Sequence, residues 1–147
     1  MSSTSAIDVV SDANVALKWF RTEGEEGLAG AHALLAAHAK RHVALRLLDL
    51  TIYEVGNTLL RGSAGASAEQ AATVLDALAE ICPAVTPDAE DLRLAGQLAQ
   101  EHELSFYDAS YAAVAHRRGA QLATYDQRIL RAGLGREPAE IVVELSL

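Results

Sequence analysis

Four acidic residues stand at or near the start of predicted helices, and they are Asp12, Glu54, Asp108 and Asp126. The sequence around them alternates between strand-like and helix-like segments, an arrangement that brings helix starts to one edge of a sheet. Carboxylates gathered there repel one another, and some would stay protonated unless a cation lay between them. Oxygen ligands without Cys or His companions favour Mg²⁺ or Mn²⁺ over zinc. The four acids therefore predict a divalent metal site.

A site of this kind is suited to the hydrolysis of a phosphodiester bond. The metal lowers the pKa of the attacking water and neutralises charge that develops on the phosphate. In sites with two metals the ions lie about 3.5–4 Å apart and stabilise both the entering and the leaving oxygen.

Helix capping is the competing explanation for each acid taken alone. Asp12 has the position of a cap for a helix that begins at Ala13, and Asp126 for one that begins at Gln127. The pairs Thr51/Glu54 and Ser105/Asp108 have the spacing of a capping box. A cap stabilises by about 0.5–2 kcal/mol, which is a sufficient reason for a single residue. The occurrence of four acids together favours a common site.

The order of predicted elements indicates an α/β protein. Predicted strands cover residues 7–10, 43–48, 81–85, 120–124 and 141–145. Predicted helices cover residues 15–20, 25–40, 51–61, 67–79, 86–102, 105–118 and 127–132. Strands separated by helices imply parallel pairing, and we expect a three-layer α/β/α sandwich with a central, mostly parallel sheet. We expect residues 1–147 to form a single domain. If the first strand and the 120–124 strand are adjacent, Asp12 and Asp126 face each other where the strand order reverses.

Composition constrains the class of protein and its partners. The net charge of −8 weakens the case for a long nucleic-acid-binding surface, although two divalent cations would cancel half of it. Basic residues cluster locally as Arg117, Arg118, Arg128, Arg131 and Arg136. The single Cys82 forms no internal disulfide, and no segment has the features of a signal peptide or a membrane span. We expect a soluble, cytoplasmic protein.

Four segments together resemble the sequence blocks of PIN-domain nucleases, in particular the VapC-type toxins of bacterial toxin–antitoxin pairs. The segments are residues 9–20, 50–61, 104–111 and 122–130, which contain the four acids in the order found in that family. One block alone would be a weak signal. Four blocks in order, covering nearly the whole chain, are a specific one.

The resemblance implies a Mg²⁺- or Mn²⁺-dependent endoribonuclease that acts on RNA, is inhibited by a cognate antitoxin and is usually a homodimer. Asp12 and Asp108 match the principal metal ligands of the family, and Glu54 and Asp126 complete the acidic cluster. The family carries polar residues that orient ligands or water at three further positions, here Asn14, Asn57 and Thr124. Two small departures are Ser11, directly before the first acid, and Gly56, which loosens its helix by up to about 1 kcal/mol.

Three other functions compete with this interpretation. A flap-nuclease-like DNA enzyme would use the same acids, but the short, acidic chain disfavours an extended duplex surface. A phospho-acceptor receiver domain requires a late lysine, and no lysine follows Lys40. A catalytically silent interaction module with the same fold is the most serious rival, because all four acids would then be caps.

Overall fold

The computed structural model describes residues 5–22, 26–62 and 65–145. The strands are β1 (Ile7–Ser11), β2 (Val43–Leu48), β3 (Ala84–Val85) and β4 (Gln121–Ala123). The helices are α1 (Ala13–Lys18), α2 (Leu28–Ala39), α3 (Asp49–Arg61), α4 (Ala68–Ile81), α5 (Ala89–His102), α6 (Phe106–Arg118), α7 (Gln127–Arg131) and α8 (Pro138–Leu145). None of the helices in these ranges is long and apolar enough to cross a membrane.

The strands form a parallel sheet in the order β3-β2-β1-β4. Val9 of β1 pairs with Leu45 of β2, and Val10 of β1 pairs with Leu122 of β4. The chain thus builds the sheet outward from β1 to β3 and then returns to add β4 on the other side of β1. Ligands of parallel sheets bind beyond the carboxyl ends of strands at such a reversal. Strands β1 and β4 are adjacent, which is the condition under which Asp12 and Asp126 lie on either side of the reversal.

The sheet is buried on both faces, because successive strand residues point to opposite sides. Val9 enters a core formed with α1, α2, α3, α4 and α8. Val10 enters a second core formed with α5, α6 and α7. Burial on both faces explains why consecutive residues such as Val9 and Val10 in β1, and Leu47 and Leu48 in β2, are all apolar. The predicted three-layer α/β/α sandwich is confirmed.

The predicted strand at residues 141–145 is wrong, because this segment belongs to helix α8. Pro138 stands at the first helical position, where its missing N–H costs nothing. Pro138 and Ile141 are buried, and Val142 and Leu145 pack against the same core as α2. These positions follow the i, i+3, i+4, i+7 period of a helix. Packing of that face outweighs the strand preference of the Ile-Val-Val sequence.

The starts of α3 and α6 differ from the predicted capping boxes. Helix α3 begins at Asp49, so Thr51 lies inside its first turn, where its Oγ1 accepts the Leu48 N–H at 3.1 Å. The Thr51/Glu54 capping box is therefore wrong. Ser105 does cap α6, accepting the Asp108 N–H at 3.1 Å, but within the described ranges no bond returns from its N–H to the Asp108 carboxylate. Neither Glu54 nor Asp108 therefore serves as a helix cap.

Candidate active site

Asp12 lies at the end of β1 and is the most buried of the four acids, with 5% of its surface exposed. Its backbone N–H donates to the Ala123 carbonyl of β4 at 3.0 Å, so the residue is tied to both central strands. Its Oδ1 accepts the Ala13 N–H at 2.7 Å, and its Oδ2 accepts the Thr124 hydroxyl at 2.8 Å. The carboxylate is thus held in one orientation where the strand order reverses.

Two of the predicted supporting residues, Asn14 and Thr124, surround this carboxylate. Thr124 is fully buried, and its Oγ1 also accepts the Asp126 N–H at 3.0 Å, which links the first and the last acid. The Asn14 amide Nδ2 lies 3.4 Å from Asp12 Oδ2, and its Oδ1 accepts the Tyr125 N–H at 3.1 Å. The third, Asn57, is exposed on α3, and its side chain makes no hydrogen bond with the described part of the chain.

Glu54 is half-buried on α3 and receives a short hydrogen bond from α6. The hydroxyl of Tyr111 donates to Glu54 Oε1 at 2.6 Å and lies 2.8 Å from Thr51 Oγ1. Tyr111 is not among the residues that the sequence predicts for the site. The available signal was its position three residues after Asp108, which places both side chains on one face of α6.

Asp108 and Asp126 occupy the first turn of α6 and the cap of α7. Asp126 Oδ1 accepts the backbone N–H groups of Arg128 at 2.8 Å and Ile129 at 3.3 Å, so Asp126 is a true helix cap. Asp108 is half-buried, and burial raises its pKa, while a hydrogen bond with the Ser105 side chain and the positive charge of Arg128 act in the opposite direction. Capping therefore explains Asp126 but not Asp108.

The four acids are electrostatically coupled. Burial raises the pKa of Asp12 to about 7, and repulsion from Glu54 and Asp108 adds to the effect, while the Thr124 hydrogen bond opposes it. Burial likewise raises the pKa of Glu54, with a contribution from Asp108. Burial and repulsion from Asp126 raise the pKa of Asp108. Asp108 thus interacts with the other three acids, and repulsion within the set contributes to the raised pKa values of Asp12, Glu54 and Asp108.

The acids fit a hard dication in charge and in donor type. Carboxylate oxygens are the ligands that Mg²⁺ and Mn²⁺ prefer, and a cation among them would remove the repulsion that raises their pKa values. Within the described ranges, however, no three Asp, Glu, His or Cys side chains lie close enough to hold a metal ion jointly. Asp12 and Glu54 accept hydrogen bonds from the protein. Mg²⁺ is usually bound through one or two carboxylates and keeps several waters, so such a site does not need three carboxylates.

Comparisons with known proteins agree with this architecture. The sequence model of the family described as PIN domain matches residues 9–134. The chain is 36% identical over 114 residues to exonuclease VapC9 of Pyrobaculum aerophilum, covering 71% of this chain and 84% of the relative. It is 36% identical over 89 residues to ribonuclease VapC3 of the same organism, covering 58% and 68%. The crystal structure of PAE2754 from Pyrobaculum aerophilum is similar with a TM-score of 0.70 and 26% identity, over 95% of this chain and 90% of that one.

Proposed function

Because the chain belongs to the PIN domain family, we propose that it is a cytoplasmic, Mg²⁺- or Mn²⁺-dependent endoribonuclease and the toxin of a toxin–antitoxin pair. The observation that carries the proposal is the coupled set of carboxylates at the carboxyl ends of β1 and β4, with Asp12 buried at its base. The names of the two VapC relatives support a nuclease. In this proposal residues 1–147 act as one domain.

Each acid has a proposed role at this site. Asp12 and Asp108 hold the dication, and Glu54 and Asp126 complete its surroundings. A bound Mg²⁺ or Mn²⁺ supplies an activated water and offsets the charge of the scissile phosphate. Thr124 fixes the orientation of the Asp12 carboxylate through its hydroxyl.

A catalytically silent module is less consistent with the structure. Asp126 caps α7 through two backbone N–H groups, and Asp12 accepts one N–H at the start of α1. Glu54 and Asp108 accept none from a helix start within the described ranges. Burial of an ionised carboxylate such as Asp12 destabilises the fold, so its presence calls for a functional reason. Capping therefore does not account for the set.

The proposed protein partners are a cognate antitoxin and a second copy of the chain. An apolar groove near α6 is lined by Leu50, Pro87, Leu92, Phe106 and Tyr107. Phe106 is 48% exposed and Tyr107 is 61% exposed. Large apolar side chains that are contiguous and exposed are typical of protein interfaces, so we assign this groove to the proposed homodimer contact.

A circular single-stranded RNA tests the proposed reaction. We expect the purified, antitoxin-free protein to linearise the circle with Mn²⁺ or Mg²⁺, and EDTA to stop the reaction. An exonuclease, the activity in the name of one relative, would degrade linear RNA and leave the circle intact. Equal cleavage of circular single-stranded DNA would favour the flap-nuclease-like alternative. No cleavage of any substrate with either metal would favour the silent module.

Two substitutions at Asp126 separate its capping from its proposed role at the site. Asp126→Asn keeps a good cap, because Asn and Asp are similar at this position, while Asp126→Ala should cost about 1 kcal/mol of stability. We expect both variants to lose most RNA cleavage, since both remove the charge. Urea unfolding and a cleavage assay check the two effects. Full activity of Asp126→Asn would show that Asp126 is only a cap.

A further inference from the structure

Tyr111 places a hydroxyl where the packing alone requires none. The residue is fully buried on α6 among Ala109, Ala112 and Ala113. A phenylalanine would fill the same space, whereas a buried hydroxyl is costly unless it is hydrogen-bonded. The Tyr111 hydroxyl has two partners, Thr51 and Glu54, both on α3.

The hydrogen bonds around Tyr111 run in one direction. The Leu48 N–H donates to Thr51 Oγ1 at 3.1 Å, which leaves the Thr51 proton for the Tyr111 oxygen at 2.8 Å. Tyr111 then gives its own proton to Glu54 Oε1 at 2.6 Å. Each hydroxyl has one proton to donate, so this order satisfies every donor. The series starts at the end of β2 and ends on a carboxylate of the site.

The last bond of this series, from Tyr111, holds Glu54 in place. Within the described ranges, the Glu54 side chain makes no hydrogen bond other than the one from Tyr111. Tyr111 lies three residues after Asp108 on the same helix, so its hydroxyl ties α3 to the part of α6 that carries Asp108. Without it, Glu54 would be free to turn away from the other acids into solvent.

We propose that Tyr111 is a positioning residue, whose hydroxyl holds Glu54 Oε1 so that the carboxylate stays beside Asp12 and Asp108 and can take part in binding a dication. The inference rests on the proposed function, in which Glu54 belongs to the metal site. Partners that orient metal ligands typically contribute 10- to 100-fold, by order of magnitude, to metal affinity or activity.

A purely structural role for Tyr111 gives a different expectation. In that case the hydroxyl only satisfies Thr51, and the bond to Glu54 is incidental. Tyr111→Phe and Thr51→Val both remove the buried Thr51–Tyr111 bond, but only Tyr111→Phe also removes the bond to Glu54. Thr51→Val is therefore the matched control.

The experiment measures Mn²⁺ binding by electron paramagnetic resonance at pH 7.5, with folding checked by circular dichroism. We expect Tyr111→Phe to weaken Mn²⁺ binding by about 10- to 100-fold, while Thr51→Val stays close to wild type. In RNA cleavage, the Mn²⁺ concentration for half-maximal rate should rise by the same factor, with the KM for RNA unchanged at saturating Mn²⁺. If Tyr111→Phe does not fold, Glu54→Asp replaces it, because its shorter side chain keeps the charge but draws the carboxylate away from Tyr111.

The outcomes separate this inference from the proposed function. Wild-type Mn²⁺ affinity in folded Tyr111→Phe overturns the positioning role alone. Wild-type affinity in Glu54→Asp, if that variant has to be used, overturns both the place of Glu54 in the metal site and its positioning by Tyr111. An equal loss of affinity in Thr51→Val and Tyr111→Phe overturns it as well, in favour of the structural role. Absence of Mn²⁺ binding by the wild-type protein overturns the proposed metal site and the positioning role with it.

Discussion

Asp12→Asn is expected to reduce metal-dependent RNA cleavage by more than about 100-fold, since loss of a ligand should exceed the loss of a residue that orients one. The substitution removes the charge at the base of the site and leaves its volume unchanged. Asp8→Asn, on the same strand, is the matched control, because Asp8 faces Arg46 at 3.8 Å and lies away from the acids. A rate assay under saturating Mn²⁺ compares the two.

The same variant should be more stable than the wild type when no metal is present at neutral pH. The raised pKa of Asp12 corresponds to as much as about 4 kcal/mol of destabilisation by the ionised carboxylate. The asparagine side chain does not accept the hydrogen bond from the Thr124 hydroxyl in the same way. This reduces the gain in stability by about 1–3 kcal/mol. An inactive, stable variant would separate catalysis from folding. An active Asp12→Asn, or an equally impaired Asp8→Asn, contradicts the assignment of Asp12.

The stability of the metal-free protein should fall as the pH rises from about 4 to about 7. In this range the folded protein holds a proton on Asp12, whose pKa is raised to about 7 from its ordinary 3.8. The unfolded chain has already lost that proton, so the unfolded state binds fewer protons and stability decreases with pH. Above pH 7 both states are ionised and the loss is complete. Burial raises the pKa values of Glu54 and Asp108 in the same direction.

Urea unfolding at pH 5 and pH 7.5 in EDTA measures this effect. The difference between wild type and Asp12→Asn isolates Asp12 from other titrating groups, and it should grow by up to about 2.5 kcal/mol over this range, because about 1.4 kcal/mol is lost per pH unit between pH 5 and pH 7. Adding Mn²⁺ at pH 7.5 should stabilise the wild type more than the variant, because a ligand of the native state stabilises it. The same pH dependence of stability in wild type and Asp12→Asn would mean that the Asp12 carboxylate does not have a raised pKa.

The positions of the acids could be predicted because they depend on features that are local in the sequence. Val43–Leu48 is rich in apolar residues, which predicts a strand. The segments that contain Asp12 and Asp126 directly follow predicted strands. The error at residues 141–145 arose because Ile141, Val142 and Val143 favour a strand by residue type. The structure shows that the apolar face of α8 packs in the same core as α2, a contact that the local sequence does not reveal.

The residues that orient the acids were harder to predict, because their partners are distant in the chain. Thr124 was found through family resemblance, and its bond to Asp12 joins β1 to the end of β4. Tyr111 was missed, because its partners lie on α3 and a buried tyrosine in an Ala-rich helix is first read as core. The distinction between a cap and a ligand also depends on geometry that Ser105/Asp108 spacing does not contain.

Anomalous diffraction from crystals soaked in Mn²⁺ locates the metal by direct observation. We expect an anomalous peak between the carboxylates of Asp12 and Asp108, with oxygen distances near those of an octahedral dication, about 2.1 Å. The peak should disappear in crystals of Asp12→Asn. A Mn²⁺ ion bound elsewhere, with Asp12 still bonded only to Ala13 and Thr124, would contradict it.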